Sequence, residues 1–151
     1  MGALNSARPA VAARAIGLMR GALACAVDYA RDRSSFGQKI IDHQAIMFMI
    51  AEMATRLEAA KGLVYGAARL VDSGEYGKDA AGYISMAKCF ATDLAVEVAS
   101  NCLQIHGAAG YMSDLPLERY YRDAKQLLIV EGTSQIQRPV IGRHVLGLRV
   151  E

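Results

Sequence analysis

Apolar residues recur along most of this chain at three- and four-residue intervals, the period of an α-helix rather than a strand. The first such stretch runs from Pro9, which suits the first turn of a helix, to about Arg31, with Val11, Ile16, Leu23 and Val27 on one side. Ser34-Ser35-Phe36-Gly37 interrupts it. A second stretch, from about Asp42 to Asp72, lines up Ile46, Met49, Ile50, Met53, Leu57, Val64 and Val71, and Gly74 and Gly77 close it. A third, from about Lys78 to Ile105, turns Ile84, Ala87, Ala91, Leu94, Val98, Cys102 and Ile105 inward. Its many small residues admit a close neighbour, and Gly107 and Gly110 terminate it.

A short fourth helix follows Asp114, with Pro116 at its start and Arg122, Asp123 and Lys125 near its end. Residues 130–132 form a bend. The last helix begins at Thr133 or Ser134, where Ser134 and Gln137 fit a capping box, and takes Val140, Ile141, Val145 and Leu146 as its apolar face. No convincing two-residue alternation marks a strand. The pattern predicts an all-α chain: an up-and-down four-helix bundle with a short extra connecting helix.

Length and composition narrow this further. A chain of 151 residues is one domain with a sizeable core, so the prediction is a single domain over residues 1–151. The chain is 53% hydrophobic, without Trp, and rich in Ala and Met, which favours packed helices. A net charge of +2 with interspersed acids and bases argues against nucleic acid and anionic membrane surfaces as partners. No apolar run approaches the roughly 20 residues of a membrane span. No signal peptide or other targeting signal is visible, because Arg8, Arg14 and Arg20 interrupt the N-terminal apolar content. The expected setting is the cytoplasm, or the mitochondrial matrix in a eukaryote. Cys25, Cys89 and Cys102 give no disulfide framework and no zinc spacing, and read as reduced core thiols. His43, His106 and His144 lack ligand-spaced partners, so no metal site is expected.

Three stretches carry candidate chemistry. Glu131 follows the apolar run Leu127-Leu128-Ile129-Val130 and precedes Gly132 and a helix start. Poor solvation would make it a stronger base, the helix N-terminus would favour its carboxylate, and an ordinary surface Glu near a helix start is the competing reading. Gln104-Ile105-His106-Gly107-Ala108-Ala109-Gly110-Tyr111 combines a helix end with small residues, which lets a planar or phosphorylated ligand touch backbone or serves as a plain helix terminus. It lacks the Gly-Lys-Ser/Thr of a phosphate loop. Arg33-Ser34-Ser35-Phe36-Gly37 offers a guanidinium and hydroxyls to a phosphate, or is a solvated connection.

Taken together, these pieces resemble the C-terminal helical domain of the acyl-CoA dehydrogenases. The resemblance runs from about Asn5 to Val150. Its carriers stand in family order: Arg8-Pro9, Arg33-Ser34-Ser35-Phe36-Gly37, His43-Gln44, Gln104-Ile105-His106-Gly107, Arg122-Asp123-Ala124 and Glu131-Gly132-Thr133-Ser134-Gln135-Ile136-Gln137. The resemblance implies that Glu131 removes the α-proton of an acyl-CoA thioester, with β-hydride passing to FAD and trans-2-enoyl-CoA as product. It implies FAD contacts at Arg33, Ser35, Phe36, His43, Gln44, Gln104, Ile105, Gly107, Ala108, Thr133 and Gln135, some of them to the flavin of a neighbouring subunit. Substrate-side contacts are implied at Arg8, Gly132 and, more weakly, Arg143. An electron-transferring flavoprotein and a homo-oligomer, tetramer or dimer, are the implied partners.

Val130 stands where the family often has an aromatic residue, and Ala108 where it usually has a second glycine. The family's N-terminal helical and middle β domains are absent from these 151 residues, so the isolated chain is expected to bind FAD weakly and to lack turnover. Two further readings are an acyl-CoA oxidase-type flavoenzyme domain and a non-enzymatic helical oligomerisation module.

Overall fold

The computed structural model describes residues 2–74 and 78–148. Helix α1 spans Gly2–Asp32, and a hairpin of two-residue strands, β1 (Ser34–Ser35) and β2 (Gln38–Lys39), follows it. A 3₁₀ turn at Ile40–Asp42 leads into α2 (Gln44–Asp72), then α3 (Lys78–His106), the one-turn α4 (Ala108–Tyr111), α5 (Leu117–Leu127) and α6 (Ser134–Val145). The architecture is the expected all-α bundle. Helix α3 is its axis: α1, α2, α4, α5 and α6 all pack against it, and the α1–α3 contact is the most extensive.

The predicted stripe of α3 is buried at every position, from Ile84 to Ile105. The stripe of α1 differs from expectation. Val11 and Ile16 are buried as expected, but Leu23 and Val27 are only half-buried, and the hidden face continues through Ala12, Ala15, Met19, Ala22, Ala26 and Ala30. Alanines at three- and four-residue spacing let the α1 and α3 backbones approach closely, so the bulkier residues are displaced to the flanks. One main core cluster joins α1, α2, α3 and α5, and a smaller one gathers Ala67, Ala80, Ile84 and Ala87 between α2 and α3.

Four readings change. Pro9 lies inside α1 rather than at its start. The chain before it is already helical, and the missing Pro9 N–H leaves the carbonyl of Asn5 without its usual donor. Helix α6 is capped by Thr133, whose hydroxyl accepts the Ile136 N–H at 3.3 Å, so Ser134 and Gln137 are free for other partners. Of its expected apolar face, Val140 and Ile141 are half-buried while Val145 and Leu146 are open at 69% and 72% exposure, and Ser134 and Gln137 are buried. The hairpin was too short for any alternation to show. It turns through Phe36 and Gly37, both with positive φ (50° and 82°), a combination that matches the twist of a tight hairpin. Gly74 closes α2 with φ +76°, and Gly77 lies outside the described residues.

Averaged over a window, α1 from Asn5 to Asp32 is long and apolar enough to cross a membrane (mean hydropathy 1.5), contrary to the reading of the sequence. Its alanine face forms the centre of the bundle core.

Candidate active site

The chain leaves α5 at Leu127 and enters α6 at Ser134 through a six-residue corner. Glu131 (φ +54°) and Gly132 (φ +94°) are consecutive left-handed residues. That conformation costs a non-glycine residue about 1–2 kcal/mol, so Glu131 adopts it only if the surroundings impose it. Buried side chains do so by donating to the corner's carbonyl oxygens. Gln137 Nε2 donates to Glu131 O at 3.2 Å and to Gly132 O at 3.0 Å. Arg8 Nε reaches Glu131 O at 3.4 Å. Lys88 Nζ donates to Gly132 O at 2.9 Å and Leu128 O at 3.4 Å. A Cβ on Gly132 would meet Gln137 Nε2 at 2.7 Å, so glycine is needed there for space as well as for φ.

These donors are themselves fixed. Arg8 is buried on α1, and its Nη1 also donates to Asn5 Oδ1 at 3.0 Å and Ser85 Oγ at 3.3 Å. Burial pushes the Arg8 guanidinium below its ordinary pKa, and the nearby Glu131 charge draws it back. Burial likewise pushes the Lys88 ammonium down; Cys89, Asp93 and Glu131 oppose this, and Arg8 adds to it. Asp93, one turn beyond Cys89 on α3, anchors the start of α6 by accepting from Ser134 Oγ at 2.6 Å and Arg138 Nη2 at 2.7 Å. At the far end of α6, His144 seats against Gly82 of α3, where no side chain intervenes.

The groups left over at the corner are the chemical ones. Among the described residues, the Glu131 carboxylate takes no hydrogen bond or ion pair, and the Glu131 N–H makes no hydrogen bond. Glu131 is half-buried. The dry shell expected from the preceding apolar run is incomplete within this chain: Leu127 is buried and Val130 packs on the core, but Ile129 is 58% exposed.

A second group of candidates gathers at the opposite end of α3. Tyr29 near the end of α1 stacks on His106, ring centroids 4.3 Å apart, and His106 Nδ1 bonds Cys102 O at 2.8 Å. The β1–β2 hairpin projects beside them. His43 ties its base through Ser35 O (3.2 Å) and Gln38 Nε2 (3.0 Å) and faces the Phe36 ring edge-on. Phe36 itself is 96% exposed. The Arg33 guanidinium has no ion pair or hydrogen bond among the described residues. Gln44, Gln104, Gly107 and Ala108 are exposed, Ile105 is buried, and the space beside Gly107 (φ +59°) is open. The eighteen helical steps of α3 from Lys88 to His106 span roughly 27 Å at about 1.5 Å each. The structure thus brings Arg8, Glu131, Gly132 and Thr133 together, and Arg33, Ser35, Phe36, His43, Gln44 and Gln104 to Ala108 together, but not the two groups. Gln135 and Arg143 lie exposed on α6. Arg8 sits behind the Glu131 corner rather than on an open face. Among the described residues no cluster of three or more His, Cys, Asp or Glu is placed to hold a metal ion.

Lys88, Asp93, Ser85 and the amide role of Gln137 were not foreseen from the sequence. One signal was present: Lys88 stands in helical register with Ile84, Ala91 and Ala95, a lone cation on an otherwise apolar stripe.

Fold and corner together define a helical bundle domain that presents one unpartnered carboxylate from a fixed, left-handed turn. The family comparison agrees in both sequence and structure. The sequence model for "Acyl-CoA dehydrogenase, C-terminal domain" matches residues 1–146. The chain is 50% identical over 148 residues to an acyl-CoA dehydrogenase of Bacillus subtilis, covering 97% of this chain and 38% of the relative. It is 47% identical over 146 residues to the caffeyl-CoA reductase–Etf complex subunit CarC of Acetobacterium woodii, covering 97% of this chain and 38% of that subunit. The solved butyryl-CoA dehydrogenase of Megasphaera elsdenii superposes with a TM-score of 0.90 at 38% identity, over 95% of this chain and 37% of that one. This chain belongs to the acyl-CoA dehydrogenase family, as its C-terminal domain. It spans little more than a third of the length of the curated relatives it matches. The family is flavin-dependent.

Proposed function

We propose that this chain is the catalytic-base domain of a larger FAD-dependent acyl-CoA dehydrogenase, with Glu131 abstracting the α-proton of an acyl-CoA thioester. The observation that carries this reading is the state of Glu131: among the described residues its carboxylate has no hydrogen bond or ion pair and its backbone N–H no acceptor, on a corner whose carbonyls are tied back. An α-proton is weakly acidic, so its removal needs a free carboxylate at the carbon and a donor at the thioester oxygen, where charge develops. The carboxylate supplies the first and the Glu131 N–H the second. Gly132, lacking a Cβ, leaves room for the Gln137 amide that ties the corner back. Arg143 is a further candidate on the substrate side, while Arg8 acts from behind the corner.

FAD, when bound, accepts the hydride that leaves Cβ, giving trans-2-enoyl-CoA. The residues present suit it: an unpaired Arg33, the Ser35 hydroxyl, the exposed Phe36 ring, the exposed Gln44 and the open backbone at Gln104, Gly107 and Ala108 would hold one part, with His43 tying the hairpin and Ile105 packed beneath. Thr133 and Gln135 would hold another part beside the base. The roughly 27 Å along α3 between these groups favours two subunits sharing each cofactor, and so a homo-oligomer, dimer or tetramer. The Etf-complex relative supports an electron-transferring flavoprotein as the electron partner.

In the FAD-loaded complete polypeptide, Glu131→Gln is expected to abolish exchange of the substrate α-protons with solvent while leaving FAD bound. Undiminished exchange overturns the assignment. The 151-residue chain alone is expected to show no turnover, and a yellow, active preparation of it would contradict the dependence on a larger enzyme.

A further inference from the structure

Lys88 has no solvent exposure, yet no carboxylate pairs directly with it among the described residues. A buried ammonium carries a desolvation cost, and a Leu or Met would fill the same place on the α3 stripe without it. The charge must therefore be judged by what it binds. Its donors go to the carbonyl oxygens of Leu128 and Gly132, one before and one after Glu131. The Ser134 N–H also donates to Leu128 O, at 3.3 Å, and Gln137 shares Gly132 O. Lys88 thus joins the two ends of the corner at a single nitrogen.

We propose that Lys88 is a positioning residue for α-proton abstraction: by binding the carbonyls on both sides of Glu131 it holds the base in its left-handed conformation and keeps the Glu131 N–H turned away from internal acceptors. This rests on Glu131 being the base. A charge-assisted bond to a carbonyl is roughly twice as strong as a neutral one, so the ammonium ties the corner more firmly than an amide in its place would. Gln137 and Arg8 alone reach only the carbonyls of Glu131 and Gly132, so without Lys88 the Leu128 side of the corner loses its side-chain anchor.

The test uses the FAD-loaded complete polypeptide carrying Lys88→Met, which keeps most of the stem and removes the donor. Amide hydrogen exchange across residues 128–134 is expected to speed about tenfold or more. kcat and substrate α-proton exchange are expected to fall about 100-fold, the scale of a small misplacement of a reacting group, with KM and bound FAD little changed. Val98→Ala, buried elsewhere on α3, serves as the stability control and should lower the unfolding midpoint without moving either rate. Should Lys88→Met not fold, Lys88→Arg, which keeps the charge but cannot seat a planar fork in the same space, should show both effects in milder form. Unchanged exchange across 128–134 with unchanged kcat overturns the proposal, as does a fall in kcat that Val98→Ala reproduces. If Glu131→Gln leaves proton exchange intact, the functional reading fails, and hydrogen exchange across 128–134 alone decides whether Lys88 fixes the corner.

Discussion

Arg8 and Glu131 stand 123 residues apart, and the guanidinium of one reaches the backbone carbonyl of the other at 3.4 Å. The contact is with the main chain of Glu131, so it fixes where the residue sits and leaves its carboxylate unpaired. Arg8→Lys keeps the charge but loses the fork that spans Glu131 O, Asn5 and Ser85. It should lower stability by roughly 2–3 kcal/mol, read as a lower denaturant midpoint at constant slope. An unaltered midpoint would remove Arg8 from the frame that supports the corner.

Gly132→Ala should be more harmful than its size suggests. Its φ of +94° is one that L residues rarely adopt, and the new Cβ would lie 2.7 Å from Gln137 Nε2. The expected cost is about 1–3 kcal/mol, with loss of α-proton exchange from the complete enzyme. Full exchange in this variant would show that the corner tolerates displacement of Gln137.

Gly82→Ala tests the docking of α6. A Cβ there would stand 2.2 Å from His144 Cγ and 2.6 Å from its Cβ, so the near part of the ring, not its flexible tip, must move. Overpacking of this kind costs about 1–3 kcal/mol. The double variant with His144→Ala should recover part of that loss, and a double-mutant cycle with no coupling would refute the contact.

Cys102 makes stability depend on alkaline pH. Burial first, and the neighbouring Cys25 second, push its thiol up to about 12 from the usual 9.0. A folded-state value raised above the unfolded one gives stability that is intact below pH 9 and lost as pH rises towards 12, because only the unfolded thiol ionises in that window. Lys88 and Arg8 shift in the opposite direction, so the comparison needed is wild type against Cys102→Ala. The wild type should fall more steeply above pH 9, by up to the order of 4 kcal/mol at pH 12. Parallel melting-temperature profiles would count against it.

The helices were legible because α3 and α2 bury bulky residues at helical spacing, and period is what a sequence displays. On α1 the periodicity finds Val11 and Ile16 but not the alanines beside them, because bulky residues mark a face while alanine does the close packing. At the candidate site, Gly132 signalled an unusual turn, but Glu131 itself, a non-glycine residue with positive φ, did not. The sequence shows Lys88 as a lone cation on an apolar stripe but not its role, because its partners are carbonyl oxygens forty and forty-four positions away. Backbone acceptors leave no mark in residue identity. Gln137 was assigned to the helix cap, a local role that Thr133 fills instead.

The two consecutive left-handed residues have a thermodynamic consequence for any reaction at this corner. Freezing backbone costs about 1–2 kcal/mol of entropy per residue, and here Glu131 and Gly132 are frozen when the bundle folds. On the proposed function, an arriving thioester would therefore meet a carboxylate that has little disorder left to lose. The barrier it faces should be mainly enthalpic, and variants that loosen the corner should reveal themselves as a more negative activation entropy on an Eyring plot.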